Sequence, residues 1–260
     1  DIADSFDYKN KYAIIEYLKE ISNIANFKQI ILTHNFDFYR TICCRLNGER
    51  KNHLQAIKNG ENILIKETKY QKNPFIYWKD HLNEKQYLIA SIPFLRNLAE
   101  YCGHENEYNK LTSLLHIKQN LPELTVVELE NILHTLCTDK SDTHLSFQKT
   151  NVKDILFETA DEVALENDEI MELEKKIVLS IAIRLKAEEF TIKKINIPDF
   201  VDTLSKDQTY HLIEKYKDLF PNEYENIKIL DEVNLMTPEN IHLNSFMYEP
   251  IIDMSNTHLK

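Results

Sequence analysis

Glycine occurs only three times in this chain of 260 residues, at Gly48, Gly60 and Gly103. It is the residue that permits left-handed turns and lets a backbone close in on a phosphate. No pair of these glycines fits G-x-x-x-x-G-K or G-x-G-x-x-G, so the chain by itself cannot form a glycine-rich phosphate cradle. The same scarcity predicts a mostly helical protein with few tight turns.

Apolar spacing says where the helices fall. Residues 8–26 place Ile14, Leu18, Ile21 and Ala25 on one stripe, which predicts a helix ending at Asn26. The run "KQIILT" that follows is short and continuously apolar, the pattern of a strand buried on both faces of a parallel sheet. "NFDFYRTICCRL" returns to helical spacing, and "NHLQAIKNGENILIKET" predicts two strands around Asn59-Gly60. From residue 74 the pattern is helical. Pro93 is expected as a break or a first-turn residue, and Gly103 as a C-terminal stop. Thr125 with Glu128 predicts a capping box, and residues 168–194 the longest helix, with Ile170, Leu173, Ile177, Ile181 and Leu185 on one stripe. "TPENIHLNSFMYEP" opens with a helix-start signature at Thr237, Pro238 and Glu239. These signals divide the chain into an α/β part, residues 1–72, and an all-helical part, residues 73–260.

Composition bounds the functional classes. The chain is 43% apolar and 28% charged, enough to build one large core or two smaller ones. It has no apolar run of membrane-spanning length and no signal peptide, so no membrane partner is expected. It begins at Asp1 and not at Met, which is read as a piece of something longer. Four cysteines without paired spacing fit a reduced, cytoplasmic setting. Adjacent Cys43 and Cys44 are expected as small buried hydrophobes, and no metal site is expected from the cysteines. A net charge of −11 disfavours a surface that coats nucleic acid everywhere. The charge is uneven: residues 1–70 hold 11 Lys and Arg against 9 Asp and Glu, and residues 154–190 hold 4 against 11.

His34 follows directly on the apolar run, at what would be the carboxyl end of a strand, where ligands bind in α/β sheets. Asp1, Asp4 and Asp7 would come from the end of a preceding strand and share that edge with His34. Carboxylates beside an imidazole suit a magnesium-bound nucleotide: acids hold the ion or orient water, and the histidine donates to the terminal phosphate. A purely structural histidine is the competing explanation.

The order of these pieces resembles the downstream half of an ABC-type ATPase core, of the sort found in chromosome-maintenance, recombination-repair and phage-defence ATPases. "DIADSFD", one helix, and then "QIILTHNFDF" carry the resemblance. It implies that Asp1 is the second acid of the Walker B strand, the one that orients or deprotonates the attacking water. It implies that Asp4, Ser5 and Asp7 belong to the loop that crosses to a second ATPase protomer, and that His34 is the switch histidine for the γ-phosphate. The position of Asp1 is commonly Glu in that family, and the shorter acid reaches less far. The resemblance covers residues 1–40. The phosphate loop would lie upstream of residue 1, so the chain as given is expected neither to bind ATP tightly nor to hydrolyse it. ATP and Mg2+ are expected only in the intact protein.

A second constellation is Arg96 and Glu100 in "FLRNLAEYCG", one helical turn apart. An ion pair explains them, although Arg preceding Glu is the less favourable order. ATPases fused to anticodon-nuclease-like helical domains carry a similar Arg-x-x-x-Glu with a distant histidine, for which His116 and His134 are the candidates. Arginine to stabilise phosphorane charge, with Glu and His for proton transfer, would suit metal-free RNA cleavage. The remaining histidines show no ligand spacing, and Trp78 with Phe75, Ile76 and Tyr77 is read as a core cluster. The expected function is the C-terminal portion of an ABC-type ATPase in phage defence or nucleic-acid processing, with a partial P-loop lobe and a larger helical output domain. An RNA-cleaving effector and a non-catalytic helical interaction module are the alternatives, with a nucleic acid or an effector protein as partner.

Overall fold

The computed structural model describes residues 8–46, 49–59, 61–69, 73–118, 123–147, 149–166, 171–204, 206–236 and 259–260. The protein is mostly helical, with one two-stranded antiparallel sheet among the described residues. The chain divides into two compact units, the first running to Tyr77 and the second from Trp78 onward.

In the first unit, α1 (Tyr8–Ser22) and α2 (Phe36–Leu46) pack through Ile15, Phe38 and Ile42, with Ile14, Leu18, Ile31 and Leu46 around them. Arg45 on α2 pairs with Glu16 on α1. The connection leaves α1 through Asn26, whose φ of 67° turns the chain sharply. Residues 27–33 then run without secondary structure, anchored by Gln29 Nε2 donating to the Leu18 carbonyl at 3.0 Å.

This corrects the expectation of a strand buried on both faces in a parallel sheet. No strand pairs with residues 28–33 among the described residues, and Ile30 and Leu32 are each 89% exposed. Ile31 alone turns inward, so the run reads as alternation, with one apolar side packed and one in water.

The hairpin falls as expected: β1 (Leu54–Asn59) pairs with β2 (Asn62–Glu67), Ala56 opposite Ile65 and Asn59 opposite Asn62. That register pairs Asn59 itself with Asn62, so the turn is shifted by one position from the Asn59-Gly60 expected. Gly60 lies outside the described residues, as does the "TPENIHLNSFMYEP" segment with Thr237, Pro238 and Glu239. Cys44, expected as a buried hydrophobe, is exposed, because α2 turns only its Phe38 and Ile42 side fully into the core.

The second unit is a helical bundle around α8 (Leu173–Ile195). In chain order α3 (Pro74–Asp80) leads in, followed by α4 (Lys85–Tyr101), α5 (Glu105–Thr112), α6 (Val126–Leu136) and α7 (Val152–Leu165), and α8 by α9 (Pro198–Asp202), α10 (Gln208–Leu219) and α11 (Tyr224–Met236). At 1.5 Å per residue α8 is about 35 Å long. It packs against α4, α7, α10 and α11, and so is buried nearly all round. Its interior residues include Ile177, Ile181 and Leu185, as the stripe predicts, and also a row of polar groups: Lys176, Ser180, Arg184 and Glu188, four residues apart. Ile170 lies outside the described residues.

The capping signals hold. Thr125 and Glu128 form the reciprocal box at the start of α6, and Asn151 caps α7 by accepting from the Lys153 amide. Gly103, with φ of 74°, ends α4, and the His104 amide folds back to the Ala99 carbonyl at 2.8 Å. Pro93 is a correction: it neither breaks α4 nor starts it, but sits buried within one continuous helix. A proline there removes a single ladder hydrogen bond, and packing of α4 against α6, α7 and α8 holds the helix together around that loss. Trp78 is fully buried and Phe75 nearly so, while Ile76 is 56% and Tyr77 37% exposed, so only part of the expected core cluster is core.

Candidate functional site

Asp1, Asp4, Ser5 and Asp7 lie outside the described residues, so only His34 of the nucleotide constellation can be placed. His34 is exposed, in the bend between the apolar run and α2. Thr33 Oγ1 accepts from the Asn35 amide at 3.1 Å, and Asn35 Oδ1 accepts from the Phe38 amide at 2.7 Å. The second bond caps the first turn of α2, and together the two hold the backbone on which the imidazole is presented.

The Arg96–Glu100 pair is present in α4, with Arg96 Nη1 at 3.8 Å from Glu100 Oε2. The two ends differ. Glu100 is 61% exposed at the side chain, whereas the Arg96 guanidinium is buried. Its nitrogens donate to Thr112 Oγ1 at 3.1 Å, to Asn97 Oδ1 at 3.0 Å and to the Tyr108 hydroxyl, and its plane lies 4.4 Å from the Tyr108 ring centre. That geometry docks α5 onto α4. His134 Nε2 hydrogen-bonds to the Thr143 carbonyl at 2.8 Å, tying α6 to the loop after it.

His116 is drawn into a different cluster, centred on a residue that carries no motif in the sequence. Glu188, on the polar row of α8, is wholly buried. Its Oε1 meets His116 Nδ1 at 2.6 Å and accepts from Thr209 Oγ1 at 2.7 Å; its Oε2 accepts from the Ile117 amide and from Gln208 Nε2, each at 2.8 Å. Gln208 Nε2 also reaches the Ile117 carbonyl at 2.9 Å. One carboxylate thus fastens the segment after α5 and the first turn of α10 to α8. Burial alone pushes the Glu188 carboxyl upward, but the His116 charge and the converging donors reverse this and hold it below the usual 4.5. Facing an ionised carboxylate, His116 Nδ1 is the donor of this contact.

Two half-buried lysines feel the charge of the same carboxylate. Lys118 Nζ donates to Gln208 Oε1 at 2.7 Å and to the Leu204 carbonyl at 3.3 Å. Lys153, the second residue of α7, is also half-buried. Burial lowers the pKa of both ammonium groups, and the Glu188 charge offsets this in part. No spacing signals this cluster, since its members are spread from His116 to Thr209.

Elsewhere in the first unit Cys43 Sγ lies 2.9 Å from His53 Nδ1, which the Tyr39 hydroxyl also approaches at 3.3 Å. Burial raises the Cys43 thiol above its ordinary value, which keeps it protonated and unreactive. Among the described residues no group of three or more His, Cys, Asp or Glu could hold a metal ion, and no helix is long and apolar enough to cross a membrane. Comparison with protein-family models, with curated proteins and with solved structures gives no match to this chain.

Proposed function

We propose that this chain is the C-terminal part of an ABC-type ATPase, in which the first unit completes a nucleotide-binding lobe and the helical unit is the output of the motor. The observation that carries the reading is the setting of His34. Its imidazole is exposed on a backbone braced by Thr33 and Asn35, at the N-terminus of α2, where amide donors favour a phosphate. The water-facing side chains of Ile30 and Leu32, immediately before it, are what a helix layered on the face of a larger sheet would cover.

His34 fits the role of a donor to the terminal phosphate. The acids that would hold Mg2+ or orient water, Asp1 with Asp4 and Asp7, lie outside the described residues, and no metal-holding group stands beside His34 among those described. Mg2+ bound with ATP would supply charge neutralisation of the phosphates. His34 would hold the γ-phosphate, and Asp1 would hold the attacking water. Ser5 with Asp4 and Asp7 would face a second protomer. Phage defence or nucleic-acid processing is the setting proposed for such a motor.

The test is ATP hydrolysis by the intact protein. His34→Ala should lower kcat by about a hundredfold, the scale of one lost transition-state donor. Unchanged turnover in that variant removes the reading. A second reading, metal-free RNA cleavage, draws on the approach of Arg96 to exposed Glu100. It requires RNA cleavage by the intact protein that is lost in Glu100→Ala, and cleavage that survives the substitution excludes it.

A further inference from the structure

Residues 138–150 join α6 to α7, and none of the described ones is buried. Residues 143–147 nonetheless have the alternation of a strand: Thr143, Leu145 and Phe147 are half-buried, while His144 and Ser146 between them are exposed. A strand finds backbone partners on a neighbouring strand, and no strand pairs with this segment among the described residues. Side chains take that place.

On one edge stands α6. His134 Nε2 donates to the Thr143 carbonyl at 2.8 Å, and Glu130 Oε2, one turn earlier, accepts from the Leu145 amide at 2.7 Å. On the other edge stands Asn83, in the connection between α3 and α4. Its Nδ2 donates to the His144 carbonyl at 3.0 Å and its Oδ1 accepts from the Ser146 amide at 2.9 Å. Donating to one residue and accepting from the next but one is what a single residue of a parallel strand does. The His144 side chain adds a contact, Nδ1 to Glu130 Oε1 at 3.2 Å. Three side chains thus take four successive backbone groups of an extended segment whose alternate side chains turn inward, which is how proteins bind extended peptides.

The hold on the segment is light. Both bonds of Asn83 are exposed, and the flanking ties are the ion pairs of Lys79 with Asp139 and of Lys140 with Asp80, whose carboxylates stand in water. Segments with few buried contacts and water-exposed hydrogen bonds open locally, without unfolding of the whole unit. We propose that Asn83, Glu130 and His134 form a binding site for an extended polypeptide, filled here by the protein's own residues 143–146 and open to a partner when that segment lifts. The partner carries apolar residues in the places of Leu145 and Phe147, small or polar residues between them, and no proline in the places of Leu145 and Ser146, whose N–H groups the site takes. The tethered segment competes at high effective concentration, so the site inhibits itself. The site belongs to the helical unit and does not rest on the ATPase reading.

The probe is a fluorescein-labelled peptide of residues 141–149, titrated by anisotropy against the full chain. Leu145→Gly with Phe147→Gly loosens the protein's own segment, and this variant should bind the peptide about tenfold more tightly than wild type does, because the tethered competitor is weakened. Adding Asn83→Ala should abolish that binding. N-methylation of the peptide in the places of Leu145 and Ser146 should abolish it as well, since it removes both amide donors. Native-state hydrogen exchange on wild type needs no variant: the Leu145 and Ser146 amides should exchange about tenfold faster than those of Leu129 and Ile132 in α6. Peptide binding no tighter to the loosened variant than to wild type, or binding that survives Asn83→Ala or N-methylation, would overturn the proposal. Leu145 and Ser146 amides as protected as those of α6 would overturn it too, by showing that the segment is a fixed part of the bundle.

Discussion

At the residue scale, Glu188 is the group on which most depends. Truncating one partner of a buried, charged network leaves the others unpaired, which costs about 3–5 kcal/mol. Glu188→Ala should therefore destabilise the helical unit by roughly that amount in urea titrations. A loss under about 1 kcal/mol would show that water enters and replaces the carboxylate. The pH dependence has a definite sign. The folded carboxyl titrates below its unfolded value of 4.5, so its stabilisation is complete above that pH and is lost as pH falls through the folded value. Acid unfolding of Glu188→Gln should be shallower than that of wild type over this range, and parallel curves would contradict the assignment.

This residue also marks the limit of what spacing reveals. His116 stands out in the sequence as a histidine in search of a partner, but Glu188 looks like one acid among many on an acidic helix. Only the packing of α8 turns it inward. His34 is the opposite case, because its place at the end of an apolar run is local and legible, and the structure exposes it as a surface group should be.

At the scale of elements, ends are better specified than neighbours. The capping box at Thr125 and Glu128, the stop at Gly103 and the hairpin near Gly60 are short-range devices, and each was readable from a few residues. Segment 28–33 departs from the expected strand because a strand exists only by pairing, and an apolar run does not state who its neighbour is. Pro93 departs from expectation for a related reason: its effect on α4 is outweighed by packing on several sides.

Two substitutions test the helix ends. Thr125→Ala should destabilise by about 1 kcal/mol, and a neutral result would mean that Glu128 alone satisfies the first turn of α6. Asn196, which closes α8 with φ of 51° and is exposed, should be improved by glycine. Asn196→Gly is expected to stabilise by about 0.5–1 kcal/mol, measured as a shift in denaturant midpoint at constant m.

At the scale of the whole molecule, the two units differ in how much they bury. The described part of the first has a core of Ile15, Phe38 and Ile42, and an isolated two-stranded hairpin, which is marginal in water. The second buries Trp78, Tyr216 and most of the apolar residues of α4 and α8. Native-state hydrogen exchange should therefore proceed faster in α1 and α2 than in α4 and α8, by at least tenfold in rate. Equal protection would show that the small core is supported by more than these side chains.

The row of Lys176, Ser180, Arg184 and Glu188 on α8 has one more consequence. Greasy side chains tolerate sliding, since one aliphatic surface is much like another, whereas the Glu188 carboxylate on this row fits only the donors that converge on it. Shifting α8 axially by a single turn, about 5.4 Å, would carry Glu188 away from the donors on α10 and strand it in oil. Polarity in the middle of the bundle thus acts as an address, giving the longest helix one permitted register.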